Sequence, residues 1–216
     1  GSSLLPYPVD GISFKDKQNT VLELIKSGAN DKEATTLKKK ISKVKGGKLA
    51  EYFYPTKILA LICSDVVDNN PSVIASGPLS KDNSTFIDAL KIIKKYKLEN
   101  KLPKDVINYI ISNKNTIKIQ NLSNVKQFLL VSNESLIRYV KDYARSLGFK
   151  VIVIKRVRGN PISVAKHICN KLGRIKINPK TLIIYSGEIT VSLENRFGKG
   201  GRNQEFILSC LKYFNY

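Results

Sequence analysis

The chain has 216 residues and is 42% hydrophobic, so it can bury a sizeable apolar core. Its 37 Lys and Arg against 17 Asp and Glu give a formal net charge of +20. This composition excludes a disordered chain. No apolar run reaches the length of a membrane span, so no membrane partner is expected.

Apolar, β-rich runs alternate along the chain with segments of helical period. In chain order, the first half is predicted to form helices at 16–27 and 31–44, a strand at 57–63, helices at 84–96 and 103–112, and a strand at 127–131. The second half is predicted to form a helix at 134–147 with Asn133 as its N-cap, a strand at 150–154, a helix at 161–172, strands at 181–185 and 189–193, and a helix at 202–214.

This alternation is typical of crossover units that feed a parallel sheet. We therefore predict an α/β fold in which a mainly parallel, Rossmann-like sheet is flanked by helices, followed by the start of a second α/β domain. A polar stretch at 173–180 indicates the boundary between a domain at 1–175 and a second domain at 176–216.

The positive charge of the chain would attract phosphates, carboxylates or nucleic acid. Its basic residues are mostly lysines spread along predicted helix faces, as at 37–40 and 91–97, with few aromatic residues between them for base stacking. Most of the excess is explained by a lysine-rich composition that solvates helix faces. We therefore expect small anionic ligands and no nucleic-acid partner.

The three cysteines are far apart and lack C-x-x-C spacing, which favours neither disulfides nor a zinc site. A reducing cytoplasm fits this usage, and the start of the chain lacks the features of a signal peptide. His167, the single histidine, is predicted to be half-buried and structural, so no Ser-His-Asp triad is available within the chain. The sequence allows a homodimer without specifying one.

Two glycine-containing segments in the first part of the chain are candidates for anion binding. Gly1-Ser2-Ser3 forms a small-residue loop whose amides and hydroxyls can cradle phosphate oxygens, although alone it also fits a flexible terminus. Lys45-Gly46-Gly47 follows the second predicted helix. Its glycines either support a binding loop or end that helix, with the nearby lysines complementing the helix dipole.

Polar residues follow the first predicted strand. Ser64 and Asp65 come directly after it, and ligands of open α/β sheets bind outside the carboxyl ends of strands. Asp65 is therefore a candidate Mg²⁺ ligand or acceptor of a hydroxyl proton, with a plain Asx turn as the alternative. Ser76 lies in a turn at 74–78 whose hydroxyl and amides can bind an anion.

The segment at 198–205 carries the strongest single signal. Its glycine-rich loop leads directly into the last predicted helix, where loop amides and the positive end of the helix form an anion site. Arg202 at that end can hold a carboxylate or phosphate through two parallel hydrogen bonds. The alternative is a mobile loop with a capping Asn. Glu188, at a strand end upstream, offers a carboxylate in the same part of the chain.

Taken together and in order, these segments resemble the glycerate 2-kinases over essentially the whole chain. The matching segments are 1–6, 38–40 with 45–47, 64–66, 74–78, 132–133, 186–188 and 200–205. The resemblance implies an N-terminal α/β domain, a C-terminal MOFRL-type domain, and ATP- and Mg²⁺-dependent phosphorylation of D-glycerate to 2-phosphoglycerate in a cleft between the domains.

Carried over residue by residue, the resemblance places the family's Lys-Gly-Gly loop on residues 45–47 and its Gly-Gly-Arg-Asn-Gln-Glu helix start on residues 200–205. We expect catalytic roles for Arg202, Lys45 and Asp65, with Asp65 either holding Mg²⁺ or orienting the attacking hydroxyl. Arg202 would grip the glycerate carboxylate or the transferred phosphoryl group, and Lys45 would neutralise phosphate charge. The remaining candidates for substrate or nucleotide binding are Ser2, Ser3, Gly46, Gly47, Ser64, Ser76, Asn133, Glu188, Gly200, Gly201, Asn203 and Glu205.

The chain departs from the family pattern in several places. It differs from the family's Arg-Lys-His, Gly-Ser-Asn and Gly-Gly-Glu segments at 38–40, 131–133 and 186–188, so Lys38, Ser132 and Ser186 receive no role. The family's Gly-Lys-Ala and Thr-Asp-Gly segments would fall before residue 1 and after residue 216. We therefore expect a fragment that is inactive alone, and the absence of any methionine agrees with this.

Two rival functions belong to other classes. One is an NAD(P)H-dependent hydroxypyruvate reductase, a label often given to members of this family. No G-x-G-x-x-G follows a predicted strand, which disfavours it. The other is a basic nucleic-acid-binding module, which would show strongly salt-dependent binding.

Overall fold

The computed structural model describes residues 4–66, 68–116, 120–174, 179–191 and 198–214. It divides the chain into two compact units, residues 1–130 and 131–216. The candidate residues Ser2 and Ser3 and the predicted domain boundary at 175/176 lie outside the described residues. That boundary stays a prediction.

The first unit combines helices with a two-stranded sheet. Its helices are α1 (Phe14–Lys26), α2 (Asp31–Lys40), α3 (Lys48–Tyr52), α4 (Phe86–Lys95) and α5 (Lys104–Ser112), with a short 3₁₀ turn at Ile74–Ser76. Strands β1 (Ile58–Cys63) and β2 (Val125–Val131) are hydrogen-bonded neighbours, and the last residue of β2 lies beyond the division between the units.

Local capping explains where the helices of this unit begin. Ser13, Asn30 and Thr85 are the N-caps of α1, α2 and α4, and each forms a capping box with the acidic residue three positions later. These boxes satisfy backbone N–H groups that the first helical turn leaves without a partner. The helices then pack around a common core that includes Leu24, Leu37, Ile41, Leu98, Val106 and Ile110.

The second unit is built on a parallel crossover. It contains α6 (Asn133–Ser146), β3 (Lys150–Gly159), α7 (Pro161–Leu172), β4 (Thr181–Ile189) and α8 (Arg202–Tyr213). Strands β3 and β4 pair in parallel from Lys150↔Thr181 to Gly159↔Ile189, with an irregularity between Ile154 and Val157. The core of this unit consists of Ala165, Ile168, Leu172, Ile189 and Phe206.

The predicted α/β class, with parallel strands flanked by helices, is confirmed. Several details differ. Strand β4 runs past the predicted end at 185 to Ile189. Residues 190 and 191 of the predicted strand at 189–193 are not in a strand, and residues 192 and 193 lie outside the described residues. Helix α2 ends at Lys40 rather than at residue 44, and α3 and the 3₁₀ turn were not predicted. No helix in the described ranges is long and apolar enough to cross a membrane.

Two predictions about single residues were wrong. The N-cap of α6 is Ser132, whose hydroxyl accepts from the Ser135 N–H, and Asn133 is the first helical residue. His167 is exposed rather than half-buried. It lies on α7 between positions that face the core, where the helical period turns it towards solvent.

Candidate active site

The loop at Lys45-Gly46-Gly47 is docked onto the turn at residues 74–78. The Gly46 N–H donates to the Ser76 carbonyl at 3.0 Å, and the Gly47 N–H donates to the Gly77 carbonyl at 2.8 Å. Two candidate segments about thirty residues apart in the sequence therefore form one backbone-bonded corner. The backbone N–H groups of Gly46 and Gly47 therefore already have acceptors within the protein. The two glycines contribute to the corner by allowing the backbone of the loop to approach the turn.

The conformation of this corner requires glycine. Gly46 and Gly47 have φ values of +63° and +78°. A Cβ on Gly47 would lie 2.8 Å from Gln120 Nε2 and 3.1 Å from the Ser80 carbonyl oxygen. The alternative that these glycines end α2 is wrong, because the C-cap of α2 is Ile41.

The turn opposite the loop is itself strained. Ala75 and Ser76 have φ values of +51° and +62°, and Gly77 follows with +58°. A left-handed conformation at non-glycine residues costs free energy and persists where surrounding contacts enforce it. Ser76 is buried, and its backbone N–H donates to the Val73 carbonyl at 2.9 Å. The strain is offset by the bonds that this turn makes to the glycine loop.

Lys45 is buried, with 2% of its surface exposed. Its backbone N–H donates to Ser42 Oγ at 3.3 Å, which fixes the start of the loop. Burial, and then the charge of Lys38, lowers the pKa of the Lys45 ammonium to about 8. A bound anion would raise this pKa again, because it stabilises the protonated form.

A buried ion-pair network supports the corner from the side of α2. Lys40 Nζ lies 2.8 Å from Asp82 Oδ2, and Lys39 Nζ lies 3.4 Å from Asp82 Oδ1. Burial alone would raise the pKa of Asp82, but hydrogen bonds from Lys40 and Ser84 and the lysine charges hold it below its ordinary value. Gln120 completes the support: its Nε2 donates to the Gly46 carbonyl at 2.7 Å, and its Oε1 accepts from the Asp82 N–H at 2.9 Å.

Ser64 and Asp65 follow the carboxyl end of β1, as predicted. The Ser64 hydroxyl accepts from the Val66 N–H at 3.0 Å, so Ser64 rather than Asp65 forms the local turn. Asp65 is exposed, and no side-chain partner of its carboxylate lies among the described residues.

The described residues contain no group of three or more His, Cys, Asp and Glu side chains arranged to hold a metal ion. The exposed carboxylate of Asp65 is nevertheless compatible with Mg²⁺, which commonly binds one or two carboxylates together with substrate phosphates and water. Mg²⁺ binding by Asp65 stays a prediction.

In the second unit, Arg202 and Glu188 form an ion pair. Arg202 is the first residue of α8, and its Nη2 lies 2.6 Å from Glu188 Oε1 at the end of β4. Both side chains are partly exposed. The N-cap of α8 is Gly201, which makes no side-chain cap, so the helix begins without a side-chain oxygen over its first amides. The structure thus brings together two of the predicted candidates and leaves the helix start suited to an anion.

The neighbouring candidates occupy the same segment. Gly200 has a φ of +144°, and the Glu205 N–H donates to the Gly201 carbonyl at 3.1 Å. Upstream, Gly187 owes its identity to strand pairing, because a Cβ there would lie 2.0 Å from the Val157 carbonyl oxygen. Asn203 is exposed in the first turn of α8. Asn133 lies at the start of α6.

Comparison with known proteins places the chain in a family. Residues 1–111, slightly more than half of it, match the model described as "Domain of unknown function (DUF4147)". The chain belongs to the DUF4147 family.

The DUF4147 chain is similar to named kinases along nearly its whole length. It is 38% identical to the "Glycerate 2-kinase" of Pyrococcus horikoshii, over 98% of the chain and 50% of that protein. It is 34% identical to the "D-glycerate 2-kinase" of Thermotoga maritima, over 97% of the chain and 50% of that protein. The predicted relationship to the glycerate 2-kinases is confirmed, and the chain spans about half the length of the curated relatives it matches.

A solved structure agrees with this relationship. The crystal structure of the glycerate kinase of Thermotoga maritima matches the DUF4147 chain with a TM-score of 0.69 at 34% identity. The match covers 98% of this chain and 51% of that one.

Sequence reasoning missed three residues that shape the corner of the DUF4147 chain: Lys17, Asp82 and Gln120. Asp82 and Gln120 lie in polar stretches whose partners are about forty residues away, so no local pattern marks them. The position of Lys17 could have been recognised in the sequence. It lies three and seven residues before the buried Thr20 and Leu24, and it therefore occupies the face of α1 where an apolar residue is expected.

Proposed function

We propose that this protein transfers a phosphoryl group from ATP to D-glycerate and forms 2-phosphoglycerate. Two kinds of finding support the proposal. Relatives named glycerate 2-kinase match nearly the whole chain. The observation that carries it is the corner in which Lys45-Gly46-Gly47 docks on Ser76-Gly77 beside a buried, depressed-pKa ammonium.

Phosphoryl transfer requires in-line positioning and positive charge around the transferred group rather than covalent chemistry by the protein. Lys45 would supply such charge from a buried position, where the local dielectric strengthens its attraction for phosphate oxygens. The docked glycines hold the backbone of Lys45 in place, so the ammonium needs little reorganisation when an anion binds. Bound ATP would supply the phosphoryl group, and Mg²⁺ would neutralise part of its charge.

Arg202 would bind the glycerate carboxylate or the transferred phosphoryl group. Its ion pair with Glu188 favours one orientation of the guanidinium, which would lower the entropy lost when the ligand binds. The uncapped start of α8 adds amide donors to the same position, with Gly200, Gly201, Asn203 and Glu205 shaping the approach.

Asp65 would hold Mg²⁺ or orient the attacking hydroxyl of glycerate. Ser64 and Ser76 would donate hydrogen bonds to phosphate oxygens, together with Ser2 and Ser3 of the opening loop. Asn133, at the start of α6, is proposed to contact substrate or nucleotide.

A coupled assay tests the proposed reaction in a version of the protein that spans the length of its relatives. We expect D-glycerate-dependent release of ADP from ATP, with 2-phosphoglycerate as the product. Oxidation of NADH with hydroxypyruvate, without ADP release from glycerate, would replace the kinase with a reductase. A version that does neither would remove the proposal.

A further inference from the structure

Lys17 is buried to an extent that is unusual for a lysine. Only 5% of its surface is exposed, and it lies on the same side of α1 as Thr20 and Leu24. Lysines are almost never fully buried unless their charge has a partner. The burial of Lys17 therefore requires an explanation beyond helix solvation.

The ammonium of Lys17 has no acidic partner among the described residues. It donates one hydrogen bond, to the Pro6 carbonyl at 2.5 Å, and no described Asp or Glu oxygen lies within 4.0 Å. Lys39 and Lys40 provide a contrast, because they are buried to the same depth, at 6% and 7% exposure, and share the carboxylate of Asp82. An ammonium has three donors, so two donors of Lys17 are left for a ligand.

Hydrogen bonds connect Lys17 to the corner that contains Lys45. The residue after Pro6, Tyr7, accepts from the Ser42 hydroxyl at 3.2 Å, and the same hydroxyl accepts from the Lys45 N–H at 3.3 Å. Burial first, and then the charges of Lys45 and Lys48, lowers the pKa of Lys17 to about 8. The charges of these two lysines thus act on Lys17, whose own ammonium has no acidic partner among the described residues.

Like charges at this depth repel one another, and a bound anion would relieve the repulsion. We propose that Lys17 and Lys45 together form an oxyanion subsite that binds a phosphate or carboxylate group of the ligand. This inference deepens the proposed function and rests on it for the identity of the ligand. It assigns to α1 a binding residue in addition to Lys45.

Binding of inorganic sulfate to the purified protein tests the subsite, because sulfate stays dianionic over the pH range in which Lys17 titrates. We expect Lys17→Gln to weaken sulfate binding by about tenfold or more, since a charge-assisted contact is lost. Lys17→Arg keeps the charge and should stay within about threefold of the wild type. Lys15→Gln removes an exposed lysine two positions earlier on α1 and should leave affinity unchanged.

Unchanged affinity in Lys17→Gln, or equal weakening in Lys15→Gln, would overturn the subsite. If Lys17→Gln does not fold, the titration of Lys17 in the wild type decides. In the wild type, the ¹³Cε resonance of Lys17 should titrate near pH 8 without sulfate and at higher pH when sulfate saturates the protein. No rise in this pKa would also contradict the proposal.

Titrations with ATP alone and with D-glycerate alone distinguish the source of the oxyanion. The Lys17→Gln effect should appear for only one of them, which identifies the group that Lys17 contacts. A version that spans the length of the relatives, lacks kinase activity and still requires Lys17 for sulfate binding would refute the proposed reaction and keep the subsite. An active kinase whose sulfate affinity is the same in Lys17→Gln as in the wild type would refute the subsite and keep the proposed reaction.

Discussion

Single residues decide whether the corner of the first unit can form. Gly47 combines a left-handed φ with the close approach of Gln120 and Ser80, two constraints that a side chain would violate together. Lys17 and Lys45 are buried lysines near the same corner, and burial lowers the pKa of each ammonium to about 8. The corner is therefore specified by backbone freedom at one residue and by buried charge at two others.

We predict that Gly47→Ala destabilises the protein more than Gly11→Ala. Gly11 has nearly the same φ, +79°, but no atom of the described residues would lie within 4 Å of a Cβ added there, so it isolates the conformational cost. That shared cost is about 1–2 kcal/mol. Gly47→Ala should cost roughly 2 kcal/mol more, because Gln120 would give up its hydrogen bonds to Gly46 and Asp82. Urea denaturation measures both variants, and equal losses would contradict the contact argument.

Helix α2 is an element whose boundaries depend on contacts at both ends. Its start follows from the Asn30–Glu33 capping box, which is legible in the sequence. The end of α2 does not follow from the sequence. Ser42 Oγ accepts hydrogen bonds from the N–H groups of Val44 and Lys45, and these bonds turn the backbone away from the helical path. Lys39 and Lys40 in the last turn of α2 then reach Asp82 instead of solvent.

Asp82→Ala should destabilise the protein by about 3–5 kcal/mol at pH 7, because it leaves two buried ammonium groups without their carboxylate. Glu23→Ala is the matched control. Its pair with Lys26 on α1 is partly exposed, at 2.9 Å, and its loss should cost at most about 1 kcal/mol. Chemical denaturation of both variants provides the comparison.

The pH dependence of the Asp82 contribution follows from its lowered pKa. The contribution is fully present above the ordinary carboxyl pKa of 3.8 and is lost as the pH falls through the lower folded-state value. The difference between wild type and Asp82→Ala should therefore shrink in acid below that range. A difference that is small at pH 7 would show that the buried pair contributes little.

In the molecule as a whole, the proposed chemistry draws on both units. Lys45 and Asp65 belong to the first unit, and Arg202 and Glu188 belong to the second. The proposed function therefore assigns roles to residues of each unit. The proposal is tested by activity rather than by stability, because the Arg202–Glu188 pair is partly exposed.

Arg202→Ala, in a version that spans the length of the relatives, should lower kcat/KM for glycerate phosphorylation on the order of 100-fold or more. The melting temperature should change little, since an exposed ion pair contributes at most about 1 kcal/mol. Arg138→Ala removes an exposed arginine of the same unit and should leave kcat/KM unchanged. Near-normal turnover in Arg202→Ala would remove this residue from the site.

Local patterns were sufficient for the α/β class, for most helix starts and for the segments that resemble the glycerate 2-kinases. Capping boxes, helical periodicity and glycine-rich loops are short-range features, and each is written within a few neighbouring residues. The pairing of Lys45-Gly46-Gly47 with Ser76-Gly77, the shared carboxylate of Asp82 and the buried ammonium of Lys17 required the folded chain. These contacts join residues about ten to seventy positions apart, and burial sets their charges, so no local pattern encodes them.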